Sequence, residues 1–231
     1  MKTHFLFLIA FFITIASFGQ IISRKNSDFL PTLTGASLGK SKPINIVEGT
    51  PFFQNEWAKS KLFTPDGFLI HNIPTKINLL ENSVYYLDSN GKEAVVITPL
   101  SEIILEQTGK PTPAHFIDGH LLPNPKKGWY QLLVNDTISL VKGVRKYYEE
   151  RIPYGGSPEY RLINQESYFV YFFYQEYYVN KPSDFTRILP SRKSDIEKQI
   201  KALDKKLPLE DQITLIASYC NTLPGLRRFS N

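Results

Sequence analysis

With one cysteine in 231 residues the chain cannot form an intramolecular disulfide, and at this length it needs none, because domains well above ~80 residues build a sufficient core without staples. Beyond the first residues no apolar run approaches the ~20 residues of a spanning helix, so no transmembrane segment is expected there. Charge of neither sign dominates, with 27 basic against 22 acidic residues. The pairs Lys126-Lys127, Arg145-Lys146, Lys205-Lys206 and Arg227-Arg228 are scattered along the chain. Nucleic-acid binders gather such charge on one face, so nucleic acid is not an expected partner. Histidine is scarce at four residues and no His-Glu-x-x-His is present, which removes the strongest zinc-hydrolase signature.

The N-terminus is rich in what the rest lacks. A short basic start, Met1 to His4, precedes an uncharged apolar run from Phe5 to Ile15, then the small residues Ser17 and Gly19. These are the three parts of a secretory signal, predicting a signal peptide over 1–19 with cleavage before Gln20. No cysteine lies there to carry a lipid. The expected location is outside the cytosol, in the periplasm or at the cell surface.

Residues 20–48 carry Ser, Thr, Gly, Lys and Pro without periodicity and read as a flexible leader. A β-rich domain is expected over 49–190. Lys59–Phe63 runs into the turn Thr64-Pro65-Asp66-Gly67, and Phe68–His71 leaves it. Ile77–Leu80, Ser83–Leu87, Glu93–Thr98 and Glu102–Glu106 continue an antiparallel meander, with Asn90-Gly91 as its hairpin signal. The Pro-rich stretch Pro111–Pro125 reads as an interruption. Trp129–Val134 and Thr137–Val141 form a hairpin that Val144–Glu150 extends, and Asn135-Asp136-Thr137 is its turn as well as a glycosylation sequon. Tyr168–Val179 is dense in aromatic and β-branched residues, which favour strands. It reads as one central strand, or as two meeting at Gln175-Glu176.

From 191 to 231 the period becomes helical. Ser194-Asp195-Ile196-Glu197 has the form of a capping box, with Ile196, Ile200 and Leu203 at helical spacing. A second helix follows Pro208, carrying Leu209, Ile213, Ile216 and Cys220 on one stripe, and Pro224-Gly225 stops it. Cys220 reads as a small apolar residue on a buried face; a lone exported thiol is otherwise open to reaction or to pairing between chains. The fold class predicted is mainly β, an antiparallel meander or sandwich-like sheet with a two-helix tail packed on it.

Several patterns invite chemistry. Gly35-Ala36-Ser37-Leu38-Gly39 matches a nucleophile elbow, and Thr34–Ser41 is one residue from a phosphate loop. Both need a strand before and a helix after, and the polar surroundings followed by Pro43 argue against either. His115, Asp118 and His120 are the candidate metal ligands, since imidazole with carboxylate suits zinc, although two or three ligands in a Pro-rich loop do not specify a site. The aromatic residues Trp129, Tyr171, Tyr174 and Tyr177 are the candidate binding residues, for a protein interface or a sugar. No residue is expected to be catalytic and no cofactor is implied. Carboxylate pairs for glycoside hydrolysis cannot be chosen in one dimension, because their separation is spatial.

Three stretches carry a likeness. Gly49-Thr50-Pro51 through Trp57 with the following meander is the first. Gly128-Trp129-Tyr130-Gln131-Leu132-Leu133, leading to Ile138-Ser139-Leu140-Val141-Lys142, is the second. Ser191–Ile196 with Ser218-Tyr219-Cys220-Asn221 is the third. With these the chain resembles an uncharacterised family of exported, β-rich proteins of Gram-negative bacteria. It departs from that pattern at Cys220, where a second tyrosine is usual. The resemblance implies an envelope-facing β protein and brings no catalytic residues. The functional expectation is a non-enzymatic binding or structural protein of the cell envelope, its partner an envelope protein or a glycan. A small hydrolase whose site assembles only in three dimensions, and a glycan-binding module, are the alternatives.

Overall fold

A computed structural model describes residues 33–37 and 46–225. The signal segment and most of the leader lie outside the described residues. Two pieces of the leader are nevertheless strands: β1 (Gly35–Ser37) and β2 (Ile46–Glu48). The meander follows as β3 (Ala58–Phe63), β4 (Leu69–Asn78), β5 (Ser83–Leu87), β6 (Glu93–Val96) and β7 (Glu102–Leu105). Then come β8 (Ala114–Asp118), β9 (Trp129–Val134), β10 (Ser139–Arg151), β11 (Glu159–Phe172) and β12 (Gln175–Val179). The tail holds α1 (Phe185–Ile188), α2 (Lys193–Ala202) and α3 (Leu209–Thr222).

The fold is mainly β, as expected. The strands form one twelve-stranded sheet in the order β1-β6-β5-β4-β3-β7-β8-β9-β10-β11-β12, with β2 added in parallel to the outer part of β11. All other pairings are antiparallel. The sheet does not close into a barrel. Among the described residues no helix is long and apolar enough to cross a membrane.

Local chemistry accounts for where the elements differ from the sequence reading. Phe68–His71 and Ile77–Leu80 belong to one strand, β4, bent where Asn72 takes φ 60° opposite a bulge between Ser60 and Lys61. Asparagine tolerates that left-handed conformation, and Asn72 is the extra residue that β4 inserts there. The Pro-rich stretch contains β8: its prolines, Pro111, Pro113, Pro123 and Pro125, flank the strand instead of interrupting it. Tyr168–Val179 is two strands, and their turn is at Phe173-Tyr174, both with positive φ. The capping box does not form. α2 begins two residues earlier than that box requires, directly after the 3-10 turn Pro190–Arg192, and Arg192 at its N-cap makes no side-chain cap bond. α1, a third and very short helix, escaped the sequence reading.

Alternation along the strands sorts side chains onto two faces. One face carries two large cores. Ala58, Leu62, Ile77, Val84, Ile103, Leu105 and Phe116 make the first, over β3–β8, with Phe53 and Trp129 packed on it. The second lies over β9–β12, where Leu140, Tyr168, Val170 and Val179 meet Phe185, Ile196, Ile213, Ile216 and Cys220 of the helices. The opposite face has a small third cluster of Leu122, Val141 and Tyr171, with Tyr130 and Phe169 beside it.

Polar ties fix the covering segments. Lys146 Nζ donates to the carbonyl oxygens of Thr50 (2.7 Å) and Phe52 (2.8 Å), clamping the start of the folded region onto β10. The Asn221 side chain, at the end of α3, accepts from Ile138 N (2.8 Å) and donates to Ile138 O (2.9 Å). Lys142 of β10 bridges Glu166 of β11 (2.7 Å) and Glu210 of α3.

Candidate functional site

The β10–β11 hairpin pairs from Ser139↔Tyr171 outward to Arg151↔Glu159. On the face away from the helices its inner half presents Gly143, Arg145, Gln165, Ser167 and Phe169. β9 contributes Tyr130, opposite Gly143, and β12 contributes Tyr178, opposite Phe169. Lys126 and Lys127, before β9, and Asn82, after β4, close the ends of a groove of about 580 Å³.

Tyr130, Phe169 and Tyr178 run across this groove in ring-to-ring contact. The Tyr130–Phe169 centroids are 6.4 Å apart and edge-to-face, and Phe169–Tyr178 are 5.7 Å apart and tilted. Tyr178 keeps 52% of its surface exposed. Two glycines make room for the Tyr130 ring. A Cβ on Gly143 would stand 2.8 Å from its Cε1, and one on Gly119 would stand 2.8 Å from its Cε2. Glycine inside a strand marks such close approach, so the ring lies in a slot between Gly143 of β10 and Gly119 of the 3-10 turn that follows β8.

The electrostatics of the groove are one-sided. Lys126 Nζ sits 4.8 Å from the Phe169 ring centroid and pairs with Glu176 at 3.0 Å. Glu176 also accepts from the Tyr171 hydroxyl at 2.6 Å. Burial, reinforced by the Glu176 carboxylate, pushes the Tyr171 phenol far above its ordinary range. Burial also raises the Tyr130 phenol, with Lys126 and Arg145 close enough to oppose it. Glu166, at the rim, is held by Lys142 and by the Tyr168 hydroxyl (2.8 Å). Arg145 and Lys127 line the groove and make no ion pair among the described residues.

The expected binding residues are not brought together. Trp129 lines the groove through its backbone neighbourhood with Tyr130 and packs into the first core. Tyr171 is 6% exposed and belongs to the third cluster. Tyr177 packs against the helix-side core, and Tyr174, 77% exposed, is in the β11–β12 turn. The residues that do converge, Tyr130, Phe169, Tyr178 and Arg145, were missed. Gly143 inside a run of strand formers was the signal that could have found Tyr130.

The metal candidates divide. Asp118 accepts from His120 N (3.1 Å) and contacts His120 Nδ1 (2.9 Å) in a local turn. His115, on the other face of β8, pairs with Glu102 at 3.0 Å. Among the described residues no group of three or more His, Cys, Asp or Glu is placed to hold a metal ion. The His115–Glu102 pair opens into a separate cleft of about 310 Å³, lined by Ile117, Leu121, Leu132, Val141 and Ser139. The Ser139 hydroxyl donates to Asp136 O at 2.8 Å instead of to the imidazole. His71 is exposed, and its ring Nδ1 lies 3.2 Å from the Asn72 side-chain amide.

Gly35–Ser37, which carries the elbow-like pattern, is an edge strand paired with β6. Its glycine is explained by packing, because a Cβ there would stand 2.6 Å from Tyr86 Cε1. Residues 38–45, needed to complete either loop motif, lie outside the described residues.

Comparison with family models, with curated proteins and with solved structures gave no match, so the geometry of the groove stands by itself as the basis for a functional reading.

Proposed function

We propose that the chain is exported to the cell envelope and acts there, without catalysis, by binding a saccharide in the Tyr130–Phe169–Tyr178 groove. The observation that carries this reading is the row of three contacting rings, bordered by Gln165, Ser167 and Arg145. Sugars offer apolar C–H faces and a ring of hydroxyls, and aromatic planes edged by polar side chains match both. A concave site with few convergent polar groups is the default binding site of a protein, and amphipathic tyrosine serves such surfaces well. Export rests on the charged start, apolar run and small residues of the signal segment. The experiment is an oligosaccharide array probed with the purified chain, repeated with Tyr178→Ala and Tyr130→Ala. Binding that both substitutions abolish is the expected result, and an array on which nothing is retained overturns the reading.

The His115–Glu102 cleft favours a second reading, a hydrolase in which the imidazole activates water with Glu102 orienting it. Turnover of ester or amide substrates that His115→Gln removes is the result this reading requires.

A further inference from the structure

We infer that the saccharide held in the groove is acidic, carrying a carboxylate or phosphate that the Arg145 guanidinium receives. This rests on the saccharide reading and narrows it to a chemical class. Every carboxylate near the groove is already engaged: Glu176 by Lys126 and Tyr171, Glu166 by Lys142 and Tyr168. The cations are not matched in the same way. Arg145 and Lys127 face the groove with no ion-pair partner among the described residues. The groove therefore has net positive charge with no internal acid left to neutralise it.

Position matters as much as sign. Arg145 is two residues beyond Gly143 on the same face of β10, and it stands across the ladder from Gln165. Because Gly143 has no side chain, the Tyr130 ring and the Ser167 hydroxyl lie over the strand at that position, next to Arg145 on the same face. A sugar stacked on the aromatic row thus brings a ring substituent to the guanidinium, with the Gln165 amide beside it. A planar five-donor fork suits carboxylate and phosphate alike. Lys127, at the groove's other end, adds long-range attraction.

The test uses the purified chain on an array of paired oligosaccharides, each acidic member (uronate, sialate or sugar phosphate) printed beside its neutral counterpart. The best pair is then followed by calorimetry, with inorganic phosphate as a separate titrant. Stronger retention of the acidic member of each pair is expected, with Arg145→Gln weakening the acidic ligand about tenfold or more and bringing it level with its neutral counterpart. Tyr178→Ala weakens both. Equal retention of neutral and acidic members, or an Arg145→Gln variant that binds as tightly as the parent, overturns the acidic inference and leaves the saccharide reading standing. Binding of inorganic phosphate with no saccharide retained overturns both. Circular dichroism of Arg145→Gln, an exposed position, confirms that the fold is intact.

Discussion

Tyr130 and Gly143 are cross-strand partners on β9 and β10, and the phenol ring occupies the volume that a side chain at 143 would fill. A methyl group there meets ring carbon at 2.8 Å, well inside contact distance. The ring, held on its other side by Gly119, has nowhere to retreat without leaving the slot.

Gly143→Ala is therefore expected to destabilise the fold by about 1–3 kcal/mol through overpacking and to tilt Tyr130 out of the aromatic row. Chemical denaturation gives the first quantity and saccharide affinity the second. The double variant Gly143→Ala/Tyr130→Ala should recover much of the stability and none of the binding. Equal losses in the single and double variants would show that the clash is relieved elsewhere.

Asn221 closes α3 onto the sheet by satisfying both backbone groups of the fully buried Ile138. Asn221→Ala leaves an amide N–H and a carbonyl unpaired, at a cost of about 2–4 kcal/mol for the two. Asn221→Asp keeps the acceptor and loses the donor, so its melting temperature should fall between those of the parent and the alanine variant.

Lys142 links three elements, and its pH dependence has a definite sign. Burial alone would lower its pKa, but Glu166 and Glu210 outweigh burial and raise it. Its contribution is complete below its ordinary value of 10.5 and is lost as the pH climbs through the raised folded value. Tyr168, whose phenol burial and Glu166 hold protonated, weakens the fold in the same direction from its ordinary value of 10.0 upward. Glu166 is raised by burial and lowered more by Lys142 and Tyr168, so its net shift is down. Its contribution is present above 4.5 and fades as the pH falls through the depressed folded value. Thermal melts should show a plateau between these limits. Lys142→Met should lower the plateau by about 1–2 kcal/mol, since Glu166 is partly solvated and screened, and should flatten the acid limb.

Cys220 is fully buried in the helix-side core, and burial pushes its thiol up to about 12. A thiol in that state is neither a nucleophile nor available for pairing between chains. A disulfide exchange reagent at neutral pH should leave the native chain unlabelled and label it fully in denaturant. Rapid labelling of the native chain would contradict the placement of α3.

The fold was legible where turns and periodicity speak locally. Thr64-Pro65-Asp66-Gly67 does join two strands, with Gly67 N donating to Thr64 O at 2.9 Å, and Asp88 organises the Asn90-Gly91 loop by accepting from the amides of Asn90 and Lys92. The stripe Ile213, Ile216, Cys220 is buried as its spacing required, while Leu209, in the first turn of α3, stays exposed. The outer half of β11, Glu159–Ser167, was not legible, because its polar residues are held in the strand by pairing with β10 and not by burial. The strands inside the leader were hidden for the same reason: β1 and β2 gain their shape from partners distant in sequence. The groove was illegible for a spatial reason. Tyr130, Arg145, Phe169 and Tyr178 come from four separate parts of three hairpin-linked strands and an edge strand, and only register brings them together.

The latch between Ile138 and Asn221 also sets the order of events during biogenesis. A polypeptide emerging N-terminus first from the ribosome can complete the β3–β8 half early, since all the residues of that core precede position 145. The β9–β12 half is different. Its greasy underside is not fully covered until residue 221 has emerged. For that interval the nascent molecule displays an open hydrophobic plank, the kind of transient surface that invites aggregation and on which holdase chaperones act.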